Sequence, residues 1–360
     1  MQEILRPFMD RSCLGTVLVF AILGAHGAVA EIIKKEDLLN GITISRAQCE
    51  ATMQTLWLAV DGRDFCVRYY LSTAGGEGRR PVVFLAGDRI ASRLDRKTST
   101  WIDPSKAEDT DTDQLMRIAD VFSKMAKTTA IYLGRIGVEG TSGNHMSRKT
   151  VLELDLMNAA LDTIKRRHGF EGFHLAGQSG GSRIAAGLIG LRHDISCLVL
   201  GSAQLASVAG GNSGGDPKRS YFDVIQNIPQ LAQNQTMRIF LVTDLMDKTV
   251  PVVQQTGFRD RLRQAGRQIP QFFVAATDDN HHGVLAYTEL VSAGCVLGRS
   301  DEVIAHATGT LVKRNAEYNE RRRKEIDAKA SIIAAARQAA PSAVSVTSGK
   351  QVQPAAKPGI

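Results

Sequence analysis

Short apolar runs alternate along the chain with longer segments in which apolar residues recur every three or four positions. The short runs predict strands and the longer segments predict helices. Strands are expected at 52–60, 65–72, 81–86, 129–133, 173–176, 197–200, 237–243 and 272–276. Helices are expected at 113–127, 148–168, 180–191, 251–264 and 283–297. This alternation predicts an α/β protein with a mainly parallel sheet of about eight strands and helices on both faces.

The edges of this sheet follow from the connections. The turn sequence DGRD at 61–64 joins the first two strands, so an N-terminal antiparallel hairpin is expected. The later strands place their C-terminal ends along one edge, where ligand sites form in such sheets. Two polar stretches, 89–112 and 203–220, leave that edge. They either border a site or are ordinary surface excursions.

The N-terminus has the pattern of a secretory signal peptide. Arg6 and Arg11 precede an apolar run at 13–30 that ends in an Ala-Val-Ala sequence. The alternative is a membrane anchor, but the strongly apolar part, 14–23, is shorter than the ~20 residues that a spanning helix needs. Cleavage after Ala30 and a secreted or periplasmic location are therefore expected, with no integral membrane association.

Four cysteines follow the predicted signal peptide, at positions 49, 66, 197 and 295. An even number in an oxidising compartment favours disulfides, and three connectivities are possible. We favour Cys49–Cys66 with Cys197–Cys295, because the first pair lies on neighbouring segments. The alternative is four buried thiols. The chain has no Cys-x-x-Cys pair, so a zinc or redox site is not expected.

The globular domain is expected to span 31–300, followed by a charged helical extension at 301–339 and a disordered tail at 340–360. Of the 360 residues, 43% are hydrophobic and 22% are charged, and the formal net charge is +7. Much of the basic excess lies at 321–324. It has no nucleic-acid motif and no interleaved aromatic residues, which argues against a nucleic-acid partner. A solvated helix face or weak attraction to anionic envelope surfaces remains.

A Gly-x-Ser-x-Gly sequence follows the strand at 173–176 and opens the next helix. Gly177, Ser179 and Gly181 supply its fixed positions. A strand-to-helix turn this tight exposes the central hydroxyl, and the helix N-terminus favours developing negative charge there. The alternative is a glycine-rich turn without chemistry. Ser179 is the predicted nucleophile.

A nucleophilic serine needs a base and an acid that orients the base. The order Ser, acid, His would place the acid after the strand at 237–243. Asp247 is favoured there over Asp244, which could instead brace the loop. The base is expected after the strand at 272–276, where His281 and His282 are adjacent. His282 precedes a glycine and is favoured, with His281 as the alternative.

Two backbone N–H groups should hold the oxyanion of a tetrahedral intermediate. Gly180, directly after the nucleophile, is expected to supply one. The loop after the strand at 81–86 is expected to supply the other through Asp88. Gly87 and Gln178, next to these donors and to Ser179, are expected to line the pocket.

Taken together, these residues resemble the α/β-hydrolase superfamily over about 52–297. The segment 133–145 is similar to a loop of bacterial hydrolases of the dienelactone-hydrolase and acyl-peptidase type. The resemblance implies that His145 lines the pocket. It also implies an α/β-hydrolase fold without a large cap domain, since 203–235 is short. One departure is Ala86-Gly87, where many relatives have His-Gly.

The resemblance implies a secreted serine hydrolase that cleaves an ester or amide of a small molecule or peptide without a metal or cofactor. An ester is favoured, because peptidase relatives often carry an N-terminal β-propeller, for which this chain has no room. Three alternatives stay open: a serine peptidase of the acyl-peptidase type, an acyltransferase, and a non-catalytic envelope-binding protein. The sequence does not indicate an oligomeric state.

Overall fold

The computed structural model describes residues 31–89, 92–93, 101–102, 108–205 and 220–339. The predicted signal peptide and the predicted disordered tail lie outside these ranges. The strands are β1 Ile32–Ile33, β2 Thr55–Val60, β3 Arg63–Ser72, β4 Val82–Leu85, β5 Ser92–Arg93, β6 Trp101–Ile102, β7 Thr110–Asp111, β8 Ala130–Leu133, β9 Phe173–Gln178, β10 Ile195–Gly201, β11 Arg238–Asp244 and β12 Gln271–Val274. The helices are α1 Lys35–Asn40, α2 Arg46–Ala51, α3 Thr112–Ala126, α4 Val151–His168, α5 Gly180–Leu188, α6 Ile228–Gln233, α7 Val252–Gln264, α8 Leu285–Val296 and α9 Asp301–Ala339.

Eight of these strands form the central sheet, in the order β12-β11-β10-β9-β4-β8-β3-β2. Within this sheet, each neighbouring pair from β8 through β4, β9, β10 and β11 to β12 is parallel. The hairpin of β2 and β3 is antiparallel and joins the sheet through β8. This strand order, with a sharp strand–turn–helix after β9 at its centre, is the α/β-hydrolase arrangement. The predicted fold class and the N-terminal hairpin are confirmed.

Helices cover both faces of the sheet. Because consecutive strand residues point to opposite sides, both sets of side chains are buried. In β4, Val83 and Leu85 join the cluster formed with α4, α5 and α7, whereas Val82 and Phe84 join the cluster formed with α3. Helix α8 covers the second face over β10 and β11. This explains why the strands have continuous apolar runs.

Some element boundaries differ from those that the sequence predicted. Strand β9 continues to Gln178, two residues beyond the predicted end, because Gly177 pairs with Leu85 and Gln178 pairs with Gly201. Helix α4 begins at Val151, because the Thr150 side chain accepts a hydrogen bond from the Glu153 N–H. The helix ends at His168, as predicted, and Gly169 follows it with a φ of 67°. Because β9 extends to Gln178, it runs directly into the turn at Ser179.

Both expected disulfides are present. Cys49–Cys66 joins α2 to β3, and Cys197–Cys295 joins β10 to α8. Helix α9 packs on α8 and β12 through its first turns, where Ile304 and Thr308 are buried, and its later residues are largely exposed. None of the helices in the described ranges has both the length and the apolar composition of a membrane-spanning segment.

Candidate active site

Ser179 occupies the turn between β9 and α5 in a strained backbone conformation. Its φ is 54° and its ψ is −121°, a region that non-glycine residues rarely adopt. The turn is held by a hydrogen bond of 2.8 Å from the Ser179 N–H to the Gly201 carbonyl on β10. Such strain persists only where the surrounding structure enforces it, and it often marks a functional residue.

The two outer glycines of the Gly-x-Ser-x-Gly sequence are required by close packing. A Cβ atom on Gly177 would lie 2.6 Å from the Ser182 backbone. One on Gly181 would lie 2.0 Å from the Leu85 carbonyl oxygen. Side chains at either position would push the turn away from the sheet. The sequence pattern therefore reflects the turn geometry, as the strand–turn–helix interpretation requires.

His282 and Asp247 form a hydrogen-bonded pair in the adjacent loops. The His282 Nδ1 atom lies 2.9 Å from Asp247 Oδ2, and the Asp247 side chain is fully buried. Asp247 Oδ1 accepts hydrogen bonds of 2.8 Å from the N–H groups of Thr249 and Val250. Burial alone would raise the pKa of Asp247, but the bonds from His282 and these N–H groups outweigh it and lower that pKa. Asp247 is therefore ionised at neutral pH and suited to orienting an imidazole.

His281 has a different partner. Its Nδ1 atom lies 3.1 Å from Asp244 Oδ2. Each of the two candidate histidines thus pairs with one of the two candidate acids, and the pairs lie side by side. The cavity next to Ser179 distinguishes the two pairs, because His282 lines it and His281 does not. The geometry favours His282 with Asp247 for chemistry at Ser179.

A cavity of about 300 Å³ lies beside Ser179 at the C-terminal edge of the sheet. The predicted site residues Gly87, Asp88, Gln178, Ser179 and His282 all line it. The rest of the lining includes apolar side chains (Phe84, Leu115, Ile118 and Leu285) and polar ones (Arg89, Gln114 and Tyr132). The Gln178 side-chain amide also donates a hydrogen bond of 3.2 Å to the His282 carbonyl. The turn at Ser179 and the loop of His282 are thereby joined directly.

His145 does not line this cavity, contrary to the expectation from the resemblance. Its side chain is fully buried, and both ring nitrogens bind backbone groups. Nδ1 lies 2.9 Å from the Ile136 carbonyl, and Nε2 lies 3.3 Å from the Arg89 N–H. Burial and the nearby charge of Arg135 lower the pKa of His145 to about 3. A neutral ring that donates from Nδ1 and accepts at Nε2 satisfies both contacts, so His145 supports the loop after β4 from behind.

The Asp88 side chain belongs to a buried ionic network that the sequence did not predict. Its carboxylate lies 3.0 Å from Arg135, 2.7 Å from Lys149 and 3.4 Å from Arg148. Arg135 has no exposed side-chain surface and also contacts both carboxylate oxygens of Glu153. Burial would raise the pKa of Asp88, but the surrounding cations hold it well below its usual range.

This network supports the loop that was predicted to hold one oxyanion donor. Arg135 donates a hydrogen bond of 3.0 Å to the Ala86 carbonyl as well as to Asp88. A Cβ atom on Gly180 would lie 2.1 Å from Asp88 Oδ1, so the loop and the start of α5 are in close contact. The predicted donors, the N–H groups of Gly180 and Asp88, therefore belong to neighbouring segments. Their role stays a prediction.

Known proteins were compared with the chain by sequence and by structure. No protein-family model and no curated protein sequence matches it. Similar solved structures include Est1E from Butyrivibrio proteoclasticus with ferulic acid bound, at 14% identity and a TM-score of 0.46, covering 68% of this chain and 97% of that one. The esterase Pf2001 of Pyrococcus furiosus has 12% identity and a TM-score of 0.48, covering 71% and 93%.

An acylaminoacyl peptidase of Pyrococcus horikoshii is also similar in structure, at 12% identity and a TM-score of 0.41. The match covers 61% of this chain and 36% of the peptidase.

Within the described residues, no group of three or more His, Cys, Asp or Glu side chains has the arrangement of a metal site.

Proposed function

We propose that this chain, which has the α/β-hydrolase fold, is a secreted or periplasmic serine hydrolase that cleaves carboxylic esters through an acyl-enzyme. One observation carries the proposal. A strained serine at a strand–turn–helix junction and a histidine bound to a buried carboxylate face the same cavity. This is the arrangement in which a neutral hydroxyl becomes a nucleophile.

In the proposed reaction, His282 Nε2 removes the proton from the Ser179 hydroxyl as its oxygen bonds to the ester carbonyl carbon. Asp247 stabilises the imidazolium that forms, through the hydrogen bond at Nδ1. The Gly180 and Asp88 N–H groups bind the oxyanion. His282 then gives the proton to the leaving alcohol, and the acyl group stays on Ser179. In the second half, His282 takes a proton from water as the water oxygen bonds to the acyl carbon, and returns it to Ser179 as the acyl–serine bond breaks and the carboxylic acid leaves.

The lining of the cavity supports a small substrate group with an apolar part. Four apolar side chains contribute to it beside polar ones such as Arg89 and Gln114, and a volume of about 300 Å³ is at the lower end of small-molecule pockets. Export is part of the proposal because the two disulfides are typical of oxidising compartments. The predicted cleavage after Ala30 would deliver the protein there.

Matched substrates separate an esterase from a peptidase. We expect the purified protein to hydrolyse p-nitrophenyl butyrate with a kcat/KM at least about 10³-fold above that for the p-nitroanilide of the same acid. The larger barrier of amide cleavage requires additional transition-state stabilisation, at about 1.4 kcal/mol for each factor of ten. Release of p-nitrophenol and p-nitroaniline measures both rates. Comparable cleavage of anilides and short peptides would instead favour the peptidase.

A further inference from the structure

The second histidine–aspartate pair, His281 with Asp244, lies outside the cavity that Ser179 and His282 line. Asp244 is the last residue of β11, and its side chain is only 4% exposed. The His281 side chain is 36% exposed and contacts Asp244 Oδ2 through Nδ1. A buried carboxylate needs hydrogen-bond partners to offset its lost hydration, and among the described residues this one has three.

The three bonds of Asp244 hold together the two loops of the site. Oδ1 accepts 2.8 Å from the Met246 N–H, within the loop that carries Asp247. Oδ2 accepts 2.7 Å from the Ala276 N–H, where the histidine loop leaves β12. Oδ2 also accepts from His281, near the end of the same loop. One carboxylate therefore fixes both ends of the segment that delivers His282.

His281 also has a conformation that needs such support. Its φ is 55°, in the left-handed region, which is strained for a non-glycine residue. This turn makes consecutive side chains diverge, so that His281 reaches Asp244 while His282 reaches Asp247. Apart from the Asp244 contact, the hydrogen bond of His281 among the described residues is the one from its N–H to the Asp278 carbonyl in the same loop.

We propose that Asp244 and His281 are positioning residues that set the orientation of His282 toward Ser179. The inference rests on the proposed function, since it assumes that His282 is the base. Besides the Asp247–His282 bond, the histidine loop is held through its backbone carbonyls: Lys248 binds those of Asn280 and Asp279, and Gln178 binds that of His282. The Asp244–His281 bond fixes the turn immediately before the base.

Two substitutions at His281 separate the hydrogen bond from the backbone strain. His281→Gly removes the imidazole, and glycine adopts a positive φ without strain. His281→Asn keeps a donor, because the amide nitrogen of asparagine stands as many bonds from Cα as Nδ1 does, and asparagine also tolerates this region. His306→Ala, at an exposed position on α9, is the matched control.

We expect His281→Gly to lower kcat for p-nitrophenyl butyrate on the order of tenfold to hundredfold with KM unchanged, because a misplaced base slows the chemical step and not substrate binding. His281→Asn should stay within about threefold of the wild-type kcat, since it keeps the donor, and His306→Ala should match wild type. Melting temperatures, measured in parallel, should fall too little to explain the loss.

Wild-type kcat in His281→Gly, equal losses in the glycine and asparagine variants, or a loss that appears in KM would overturn the positioning role. Those results would leave the proposed function intact if Ser179→Ala is inactive. Undiminished hydrolysis by Ser179→Ala would contradict the proposed function and this inference with it.

Discussion

Ser179→Ala is expected to lower kcat for ester hydrolysis by about 10⁵- to 10⁶-fold, the loss typical of removing a serine nucleophile. The variant keeps the cavity and the oxyanion donors, so a residual rate above the uncatalysed reaction should remain. The turn should survive, because it is enforced by Gly177, Gly181 and the bond to Gly201. Steady-state release of p-nitrophenol measures the effect.

Two further variants test whether Ser179 works with His282. His282→Ala should cause a loss of the same order, and the double variant should lose little more, because the members of such a unit are not additive. Ser331→Ala, at an exposed position on α9, should keep the wild-type kcat. Independent, multiplying losses from Ser179→Ala and His282→Ala would show that the two residues do not share one proton-transfer step.

Removal of the Cys197–Cys295 disulfide is expected to lower the free energy of unfolding by about 4–5 kcal/mol. The bond closes a segment with a sequence separation of 98 residues, and the cost of opening it grows with loop length. It also fastens α8, which begins three residues after His282, to the central strand β10. The double variant Cys197→Ala with Cys295→Ala, unfolded in urea without reductant, measures this.

The other disulfide provides the matched control. Cys49–Cys66 spans a sequence separation of 17, so its removal should cost about 3 kcal/mol in the same measurement. The two double variants replace the same residue types at buried positions, which makes loop length the main difference. A larger loss from the short loop would contradict the entropic explanation.

The fold was predictable because its signals are local. Strands such as β4 are apolar at every position since both faces of the sheet are covered, and helices follow them at regular intervals. The tight turn at Ser179 was predictable for a similar reason, because it excludes side chains at Gly177 and Gly181. Strand ends were less predictable, since pairing with neighbours extends β9 to Gln178.

The glycine after His282 was the one feature of the sequence that favoured His282 over His281. The left-handed backbone at His281 turns the two side chains apart, and nothing in the composition of that loop requires a positive φ there. The pairing of Asp244 with His281 depends on the same turn. The sequence therefore favoured Asp247 and His282 but did not indicate that Asp244 pairs with His281.

The network around Asp88 combines residues from three separate segments. Thr150 and Glu153 have the spacing of residues that cap the start of a helix. This local role explains the glutamate in the sequence, so nothing indicates that it also pairs with Arg135. His145 was placed in the pocket by resemblance alone, whereas its two nitrogens are both taken by backbone groups behind the loop. Long-range contacts of this kind leave no periodic signal in the chain.

Reaction with a fluorophosphonate tests the central claim most directly, because these reagents phosphonylate activated serines. We expect one equivalent of label, located by peptide mass spectrometry on Ser179, and loss of labelling in Ser179→Ala and His282→Ala. Folded protein that takes up no label, or that is labelled equally at another serine, would contradict the assignment of Ser179 as an activated nucleophile. The absence of label would favour a binding protein built on the same fold.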